Sequence, residues 1–301
     1  VRLNAVTRTT ILGDWGTSRL RLFRFADGVL RDRVEGPGIG QLDASAATVL
    51  LRALEPWRQD GVIANVTLCG MAGARGGLVE AGYLDCPAIV SDWQQHATAL
   101  MLADIPVRVL PGLRCRNDAG VPDVMRGEET QIFGALAQDI KFAVGSWTFV
   151  LPGTHCKWVS VKDGKVTRFR TYLTGELYAL LTKYSTLVAK GKSGEGDSAL
   201  GFARGLERRG DGTLGAVFEA RAAQLVDGRS PKWAEGFLSG LLIGSEVEAE
   251  ARAQARIVLI GDPALCERYI DAMRNVDCSI VQLDGDAAVL AGLGLAKGEI
   301  G

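Results

Sequence analysis

The stretch ILGDWGTSRLRLFRFADGVL, Ile11 to Leu30, decides the fold once it is laid beside FVLPGTHCKWVSVKDGKV, Phe149 to Val166. Each opens on apolar residues that read as a buried strand. Each turns through a Gly-Thr pair, Gly16-Thr17 or Gly153-Thr154, and continues as a second strand to an Asp-Gly turn, Asp27-Gly28 or Asp163-Gly164. Asp-Gly between strand-like runs is a strong hairpin signal. A third strand follows in both, within VLRDRV and KVTRFR. The Gly-Thr pairs lie 137 residues apart and the Asp-Gly pairs 136, close to half of the 301-residue chain. Two β-meanders half a chain apart predict two similar domains.

Each meander leads into alternating elements. In the first half the pattern predicts a helix over Ala44–Trp57, a buried strand over Gly61–Gly70, and a helix over WQQHATALML (93–102). A short strand in PVRVLPG and a helix over Glu128–Asp139 follow. In the second half helices are predicted over Gly175–Ala189, Ser198–Arg209, Gly215–Leu225, Trp233–Ala253, from Pro263, and over Asp286–Ala296, with strands in ARIVLIG and DCSIVQL. Strands alternating with helices argue for an α/β sheet in each half. Lys190–Gly215 is polar and glycine-rich and reads as a mobile connection.

Bulk properties narrow the function. Hydrophobic residues make up 47% of the chain and charged residues 23%, enough for a full core. The net charge of -1 offers no basic face for nucleic acid. No run of membrane length and no signal-like start is read, so a cytoplasmic protein is expected. The six cysteines form no C-x-x-C pair, and His96 and His155 are the two histidines, which argues against zinc or a histidine-built metal centre.

Two hairpin tips facing one cleft suit transfer of a phosphoryl group from ATP. That reaction needs a metal near the phosphates, donors for their oxygens and a carboxylate near the attacking hydroxyl. Asp14 suits Mg²⁺ held through water. Gly13, Gly16, Thr17 and Ser18 supply one loop, and Gly153, Thr154 and His155 a second, with Lys157 as a point charge. Either tip alone would read as an ordinary hairpin.

The paired tips in a duplicated frame resemble the acetate and sugar kinase/Hsp70/actin superfamily, and more closely the 2-dehydro-3-deoxygalactonokinase family. The residues that carry this are GDWGTSRLR (13–21), CGMAGARGGLVEAGYLDCPA (69–88), DVMRGEETQIFGAL (123–136), LPGTHCKWV (151–159), TYLTGELYALL (171–181) and LSGLLIGSEV (238–247). The resemblance implies an α/β fold of two duplicated ribonuclease H-like, actin-like ATPase domains, each a mixed sheet with flanking helices, with a cleft between them. It places an N-terminal domain for the sugar acid at 1–140 and a C-terminal domain for adenosine at 141–301. It implies phosphorylation of the 6-hydroxyl of 2-dehydro-3-deoxy-D-galactonate by Mg·ATP, in galactonate breakdown. The oligomeric state stays open, with a homodimer as one alternative.

Related sugar kinases carry an acid in a G-D-Q-Q-A-A-L-F-G-like pattern. GEETQIFG (127–134) resembles it one residue shorter, which points to Glu128 as the general base and leaves Glu129 and Asp123 as alternatives. A carboxylate substrate calls for a guanidinium. Arg75 in the loop MAGARGG and Arg126 beside the proposed base are the candidates, with Thr174, Tyr83 and Glu80 as hydroxyl binders. Gly261, between a strand and a helix, is a candidate contact for adenine, whereas Gly240 and Gly244 read as helix packing. Rival readings are a kinase of another sugar or keto acid and a non-catalytic nucleotide-binding protein. A dinucleotide oxidoreductase is disfavoured, since no G-x-G-x-x-G opens a helix after an early strand.

Overall fold

The computed structural model describes residues 8–189, 193–251 and 256–296. The chain divides into two compact units. One takes the residues up to Gly145 together with Val161–Phe169 and the segment from Gly285; the other takes Ser146–Ser160 and Arg170–Asp284.

In the first unit β1 (Arg8–Trp15), β2 (Arg19–Ala26) and β3 (Val29–Pro37) form the antiparallel meander, with Asp14 opposite Arg21. After α1 (Ala46–Asp60), capped by the Ser45 hydroxyl, comes β4 (Val62–Gly70), parallel to β1. Then follow β5 (Tyr83–Asp85), α2 (Val90–Gln95), β6 (Thr98–Leu102), β7 (Ile105–Val109), β8 (Gly112–Arg116), β9 (Pro122–Met125) and α3 (Glu128–Gln138). The main sheet runs β3-β2-β1-β4-β7-β6, and a small second sheet runs β5-β8-β9. Ile11, Trp15, Leu22, Leu50, Leu54, Val66, Leu68 and Val107 fill the core between α1 and the sheet.

The second unit repeats the plan. Its strands are β10 (Ser146–Leu151), β11 (Cys156–Lys162), β12 (Lys165–Tyr172), β13 (Arg256–Gly261) and β14 (Ser279–Asp284), ordered β12-β11-β10-β13-β14. The two sheets therefore share the arrangement third, second, first and fourth strand; beyond the fourth the first sheet continues with β7 and β6 and the second with β14. The helices are α4 (Thr174–Tyr184), α5 (Ser198–Glu207), α6 (Thr213–Ala216), α7 (Glu219–Val226), α8 (Pro231–Glu250) and α9 (Pro263–Ala272). α5 and α8 touch backbone to backbone. A Cβ on Gly201, Gly205, Gly236 or Gly240 would fall 2.0–2.2 Å from a carbonyl of the facing helix, which supports the packing reading of Gly240.

The last helix, α10 (Gly285–Leu295), belongs to the first unit and packs on α3. The backbones meet through glycines. A Cβ on Gly134 would lie 1.9 Å from the Ala288 carbonyl, and one on Gly292 1.9 Å from that of Thr130. The hairpin tip Val161–Phe169 joins the same unit through the Ala88–Val166 backbone pair. These two segments depart from a single cut at 140/141. Gly134→Val should part α3 from α10 and cost about 1–3 kcal/mol, the range for overpacking a close contact. Urea unfolding is the measurement, and unchanged stability would contradict this packing.

Some predicted elements differ. Of the helix expected over 93–102, only Trp93–Gln95 are helical, within α2, and Thr98–Leu102 form strand β6. Leu102 faces the core while Met101 is 62% exposed, and a two-residue turn at Ala103 and Asp104 pairs β6 with β7. That period of two is hidden under helix-favouring Ala, Leu and Met. The helix from Gly175 stops at Tyr184, where the Ser185 hydroxyl donates to the Leu181 carbonyl and accepts from the Leu187 amide. Gly215–Leu225 is split between α6 and α7. Within Lys190–Gly215, residues 190–192 lie outside the described residues and α5 occupies much of the rest. The expected end of the long helix at Ala253 also lies outside them. The tryptophans Trp15, Trp93, Trp147 and Trp158 are core residues. No helix among the described residues is long and apolar enough to cross a membrane.

Candidate active site

In the first unit three chain segments converge on one point. Parallel pairing of β1 with β4 sets Asp14 beside Cys69 and Trp15 beside Gly70. Gly70 has φ +75°, and a Cβ there would lie 2.8 Å from the Trp15 carbonyl and 3.3 Å from Asp14 Oδ1. Gly127, which caps α3 with φ +110°, would place a Cβ 3.4 Å from Gly70 Cα. Both positions demand glycine, because L side chains rarely adopt such φ values. Asp14 and the head of α3, with Glu128 and Glu129, thus flank Gly70.

Asp14 is the next-to-last residue of β1, just before the turn. Its neighbour across the hairpin, Arg21, holds it in an ion pair and reaches Asp286 at the head of α10 as well. The Cys69 thiol donates to Asp14 Oδ1 at 3.6 Å. Thr17 and Ser18 are exposed on the turn that follows, which is closed by the Gly16 amide donating to the Arg19 carbonyl at 2.8 Å. The Ile39 and Gly40 amides donate to the carbonyls of Gly16 and Thr17 and brace it. Gly13 has a different place from the one expected. It lies inside the sheet, where a Cβ would fall 2.5 Å from a Leu68 methyl and 2.6 Å from one of Leu22, so it serves packing.

At the head of α3, Glu128 is half-buried and its Oε2 accepts from the Arg126 amide at 3.1 Å. Glu129 is fully buried and accepts from the Gly127 amide at 2.7 and 3.0 Å. Burial, then the neighbouring Glu128 charge, push the Glu129 carboxyl up to about 8. Asp123 lies on β9 in the small sheet, where its carboxylate accepts from the Val124 amide.

The Arg126 guanidinium lies over the Tyr83 ring at 4.3 Å and donates through Nη2 to the carbonyls of Ala81 and Gly82. Its Nε and Nη1 are buried without an acceptor among the described residues. Nη1 lies against Gly73, where a Cβ would be 2.5 Å away. Arg75 and Glu80 are exposed on the same segment.

The second unit builds its own turn. Gly153 and Thr154 seat on the head of α4: the Glu176 amide donates to the Thr154 carbonyl at 2.9 Å, and a Cβ on Gly175 would fall 2.3 Å from the Gly153 carbonyl. His155 Nε2 contacts Glu176 Oε2 at 2.5 Å, with both side chains 45% exposed. Lys157 departs from expectation. It is inside β11 and 4% exposed, not out on the turn with Thr154 and His155.

A cavity of about 230 Å³ opens beside Gly153. Leu242, Ile243 and Leu265 form apolar walls, with Thr174, Tyr178, Ser239, Arg268 and Tyr269 as polar groups around it. Thr174, expected at the sugar acid, lines this cavity, and its hydroxyl donates to Glu246. Glu246 is 2% exposed and also accepts from Trp158 Nε1 at 2.5 Å and the Tyr269 hydroxyl at 3.0 Å. Burial raises its pKa against those donors. Gly261 stands next to Pro152 and is not in the cavity wall; α9, which follows it, supplies Leu265, Arg268 and Tyr269. The sequence alone assigns no role to Arg21, Glu176 and Glu246, which lie within the quoted motifs, or to Arg268 and Asp286, which lie outside them.

Among the described residues no three His, Cys, Asp or Glu side chains gather into a metal cage. Mg²⁺ does not need one, since it binds through one or two carboxylates plus water and phosphate oxygens. Asp14 fits that limited role.

Comparison with known proteins gives a consistent picture. The sequence model of the 2-keto-3-deoxy-galactonokinase family matches residues 14–296. The 2-dehydro-3-deoxygalactonokinase of Escherichia coli strain K12 is 35% identical over 295 residues, covering 96% of this chain and 97% of that protein. A crystal structure of a candidate 2-dehydro-3-deoxygalactonokinase from Sinorhizobium meliloti superposes with a TM-score of 0.81 at 33% identity, over 95% of this chain and 97% of that one. Acetate kinase of Entamoeba histolytica shares the fold at a TM-score of 0.51 and 9% identity, over 96% of this chain and 98% of that one.

Proposed function

The chain belongs to the 2-keto-3-deoxy-galactonokinase family, and we propose that it transfers the γ-phosphoryl group of ATP to the 6-hydroxyl of 2-dehydro-3-deoxy-D-galactonate. The observation that carries this reading is the family match over nearly the whole chain. In the transfer a bond forms between the hydroxyl oxygen and the γ-phosphorus, the bond from that phosphorus to the β,γ-bridging oxygen breaks, and ADP leaves.

The hydroxyl proton passes to Glu128, whose place at the head of α3 next to Gly70 supports the base role. Asp14 would hold Mg²⁺, which when bound would neutralise charge on the phosphates. The exposed turn Gly16–Ser18 and the turn Gly153–His155 supply phosphate donors, with Glu176 holding the imidazole. The cavity between α4, α8 and α9 takes the nucleoside: its apolar walls suit a base and its polar rim a ribose. The substrate carboxylate meets Arg126, whose Nε and Nη1 lack acceptors among the described residues, and the exposed Arg75.

ADP release measured with Mg·ATP over a panel of 2-keto-3-deoxy sugar acids tests the reading. The galactonate-derived acid should give the highest kcat/KM, by about tenfold or more over acids differing at one hydroxyl. Strong activity with another acid and none with this one would keep the kinase class and overturn the substrate. No turnover with any acid, from a chain that binds ATP, would overturn the class.

A further inference from the structure

Behind Asp14 runs a line of buried polar side chains that phosphoryl transfer as described does not use. Glu129, Thr130 and Cys69 each have 0% exposure. Thr130 Oγ1 lies 3.2 Å from Glu129 Oε1 and also hydrogen-bonds the Cys69 sulfur. The Cys69 thiol in turn donates to Asp14 Oδ1 at 3.6 Å. The protons on this line can be counted. Cys69 spends its one proton on Asp14. Thr130 has one proton and two neighbours that would accept it, Glu129 Oε1 and Cys69 Sγ. If Glu129 were ionised, one of those contacts would lack a proton. If Glu129 carries a proton, each group donates once: Glu129 to Thr130, Thr130 to Cys69, Cys69 to Asp14. The Gly127 amide still has a carboxyl oxygen to donate to.

We propose that Glu129 is a protonated positioning acid, the head of a one-way donor line that ends on Asp14, and that Glu128 is therefore the group left to act as base. The line fixes the charge pattern of the site. The Cys69 thiol and Arg21 both donate to Asp14, and Glu129 stays neutral beside a carboxylate that must accept a proton. The charged groups near Glu129 agree with this arrangement. Glu128 opposes its ionisation and Arg126 favours it, on its own segment. Asp14 lies beyond Cys69. From α10, which packs on α3, the glycine Gly292 meets Thr130 and brings no charge. Burial and Glu128 outweigh the rest and place the Glu129 transition at about 8. Below that pH the line is intact. Above it, a second buried negative charge beside Glu128 would repel the phosphoryl oxygens and reverse the Thr130 hydroxyl.

For its activity arm alone, this inference rests on the kinase reading. The direct test is infrared difference spectroscopy on the full chain. Wild type at pH 7 should show the carbonyl stretch of a protonated carboxylic acid that is absent from Glu129→Gln and that disappears as the pH passes about 8. Absence of a Glu129-dependent band at pH 7 would overturn the proposal whether or not the chain is a kinase. In ADP release, wild-type kcat should fall above that pH. Glu129→Gln, which mimics the neutral acid, should stay within about threefold of wild type at pH 7 and lose the alkaline fall. A folded Glu129→Gln as inactive as Glu128→Gln would overturn the proposal and make Glu129 the base. Cys69→Ala removes the acceptor beyond Thr130, whose proton then turns to Glu129 and favours its ionised form. The transition should move down by about half a pH unit or more, and an unmoved transition would also overturn the line. If wild type shows the band but turns over no acid, the line stands and the kinase reading falls.

Discussion

Glu128→Gln is expected to lower kcat by about two to four orders of magnitude, the usual worth of a positioned general base, while leaving the KM for the sugar acid within about threefold. The physical case begins at the helix head. Gly127 takes a φ of +110° against Gly70 Cα, so the first turn of α3 is pressed against the end of β4. Glu128 is the first residue of that turn and is half-buried, with one oxygen accepting from the Arg126 amide. Glutamine keeps the shape and that hydrogen bond but cannot take a proton from the attacking hydroxyl. The loss should therefore fall on kcat and not on ground-state binding. Steady-state ADP release gives the two constants, and calorimetric titration of ATP into the variant checks that nucleotide binding survives. A loss confined to KM would instead make Glu128 a binding group and return Asp123 to consideration as base.

How much of this was legible in the sequence depends on the range of each signal. The two meanders could be read because their turns are local: Asp27-Gly28 and Asp163-Gly164 each show φ values near +50° and +70°, which Asp-Gly tolerates. Asp14 is conspicuous as an acid beside loop glycines, whereas Glu128 is reached only through the resemblance of GEETQIFG to the superfamily pattern. What could not be read was partnership across the chain. Arg21 faces Asp14 only through the hairpin register, and that register depends on how many residues the turn consumes. Asp286 reaches the same arginine because α10 returns to the first unit, 265 residues away in sequence.

Lys157 and Thr174 show the opposite error. Each has the right chemistry for a ligand and sits in a suggestive motif. Yet Lys157 is turned into the body of β11, and the Thr174 hydroxyl is committed to the buried Glu246. A motif supplies residue types, whereas strand alternation and burial decide which side chains can reach a ligand. Gly13 makes the same point: it belongs to the motif but gives its missing side chain to Leu22 and Leu68.

Asp14→Asn is expected to cost about three orders of magnitude in kcat/KM at limiting Mg²⁺, with part of the loss recovered as Mg²⁺ is raised. Asn is the informative change because its one oxygen can still accept from Cys69, as Oδ1 does now, while the Oδ2 that accepts from Arg21 becomes an NH2 group and the charge is lost. Arg21 is then left with Asp286, which is 58% exposed and better solvated, so its half of the ion pair is weakened and not abolished. The stability loss should be small, about 1 kcal/mol, for a pair at this partial exposure. Asp14→Ala goes further: it leaves the Cys69 thiol without its acceptor in a fully buried position and should cost roughly 1–3 kcal/mol more. The measurements are ADP release against MgCl₂ concentration and urea unfolding of both variants. A metal ligand predicts a raised Mg²⁺ requirement in Asn and Ala alike, with stability separating the two. A purely structural Asp14 predicts the reverse, an Asn variant with wild-type Mg²⁺ dependence and an Ala variant whose activity follows its stability alone.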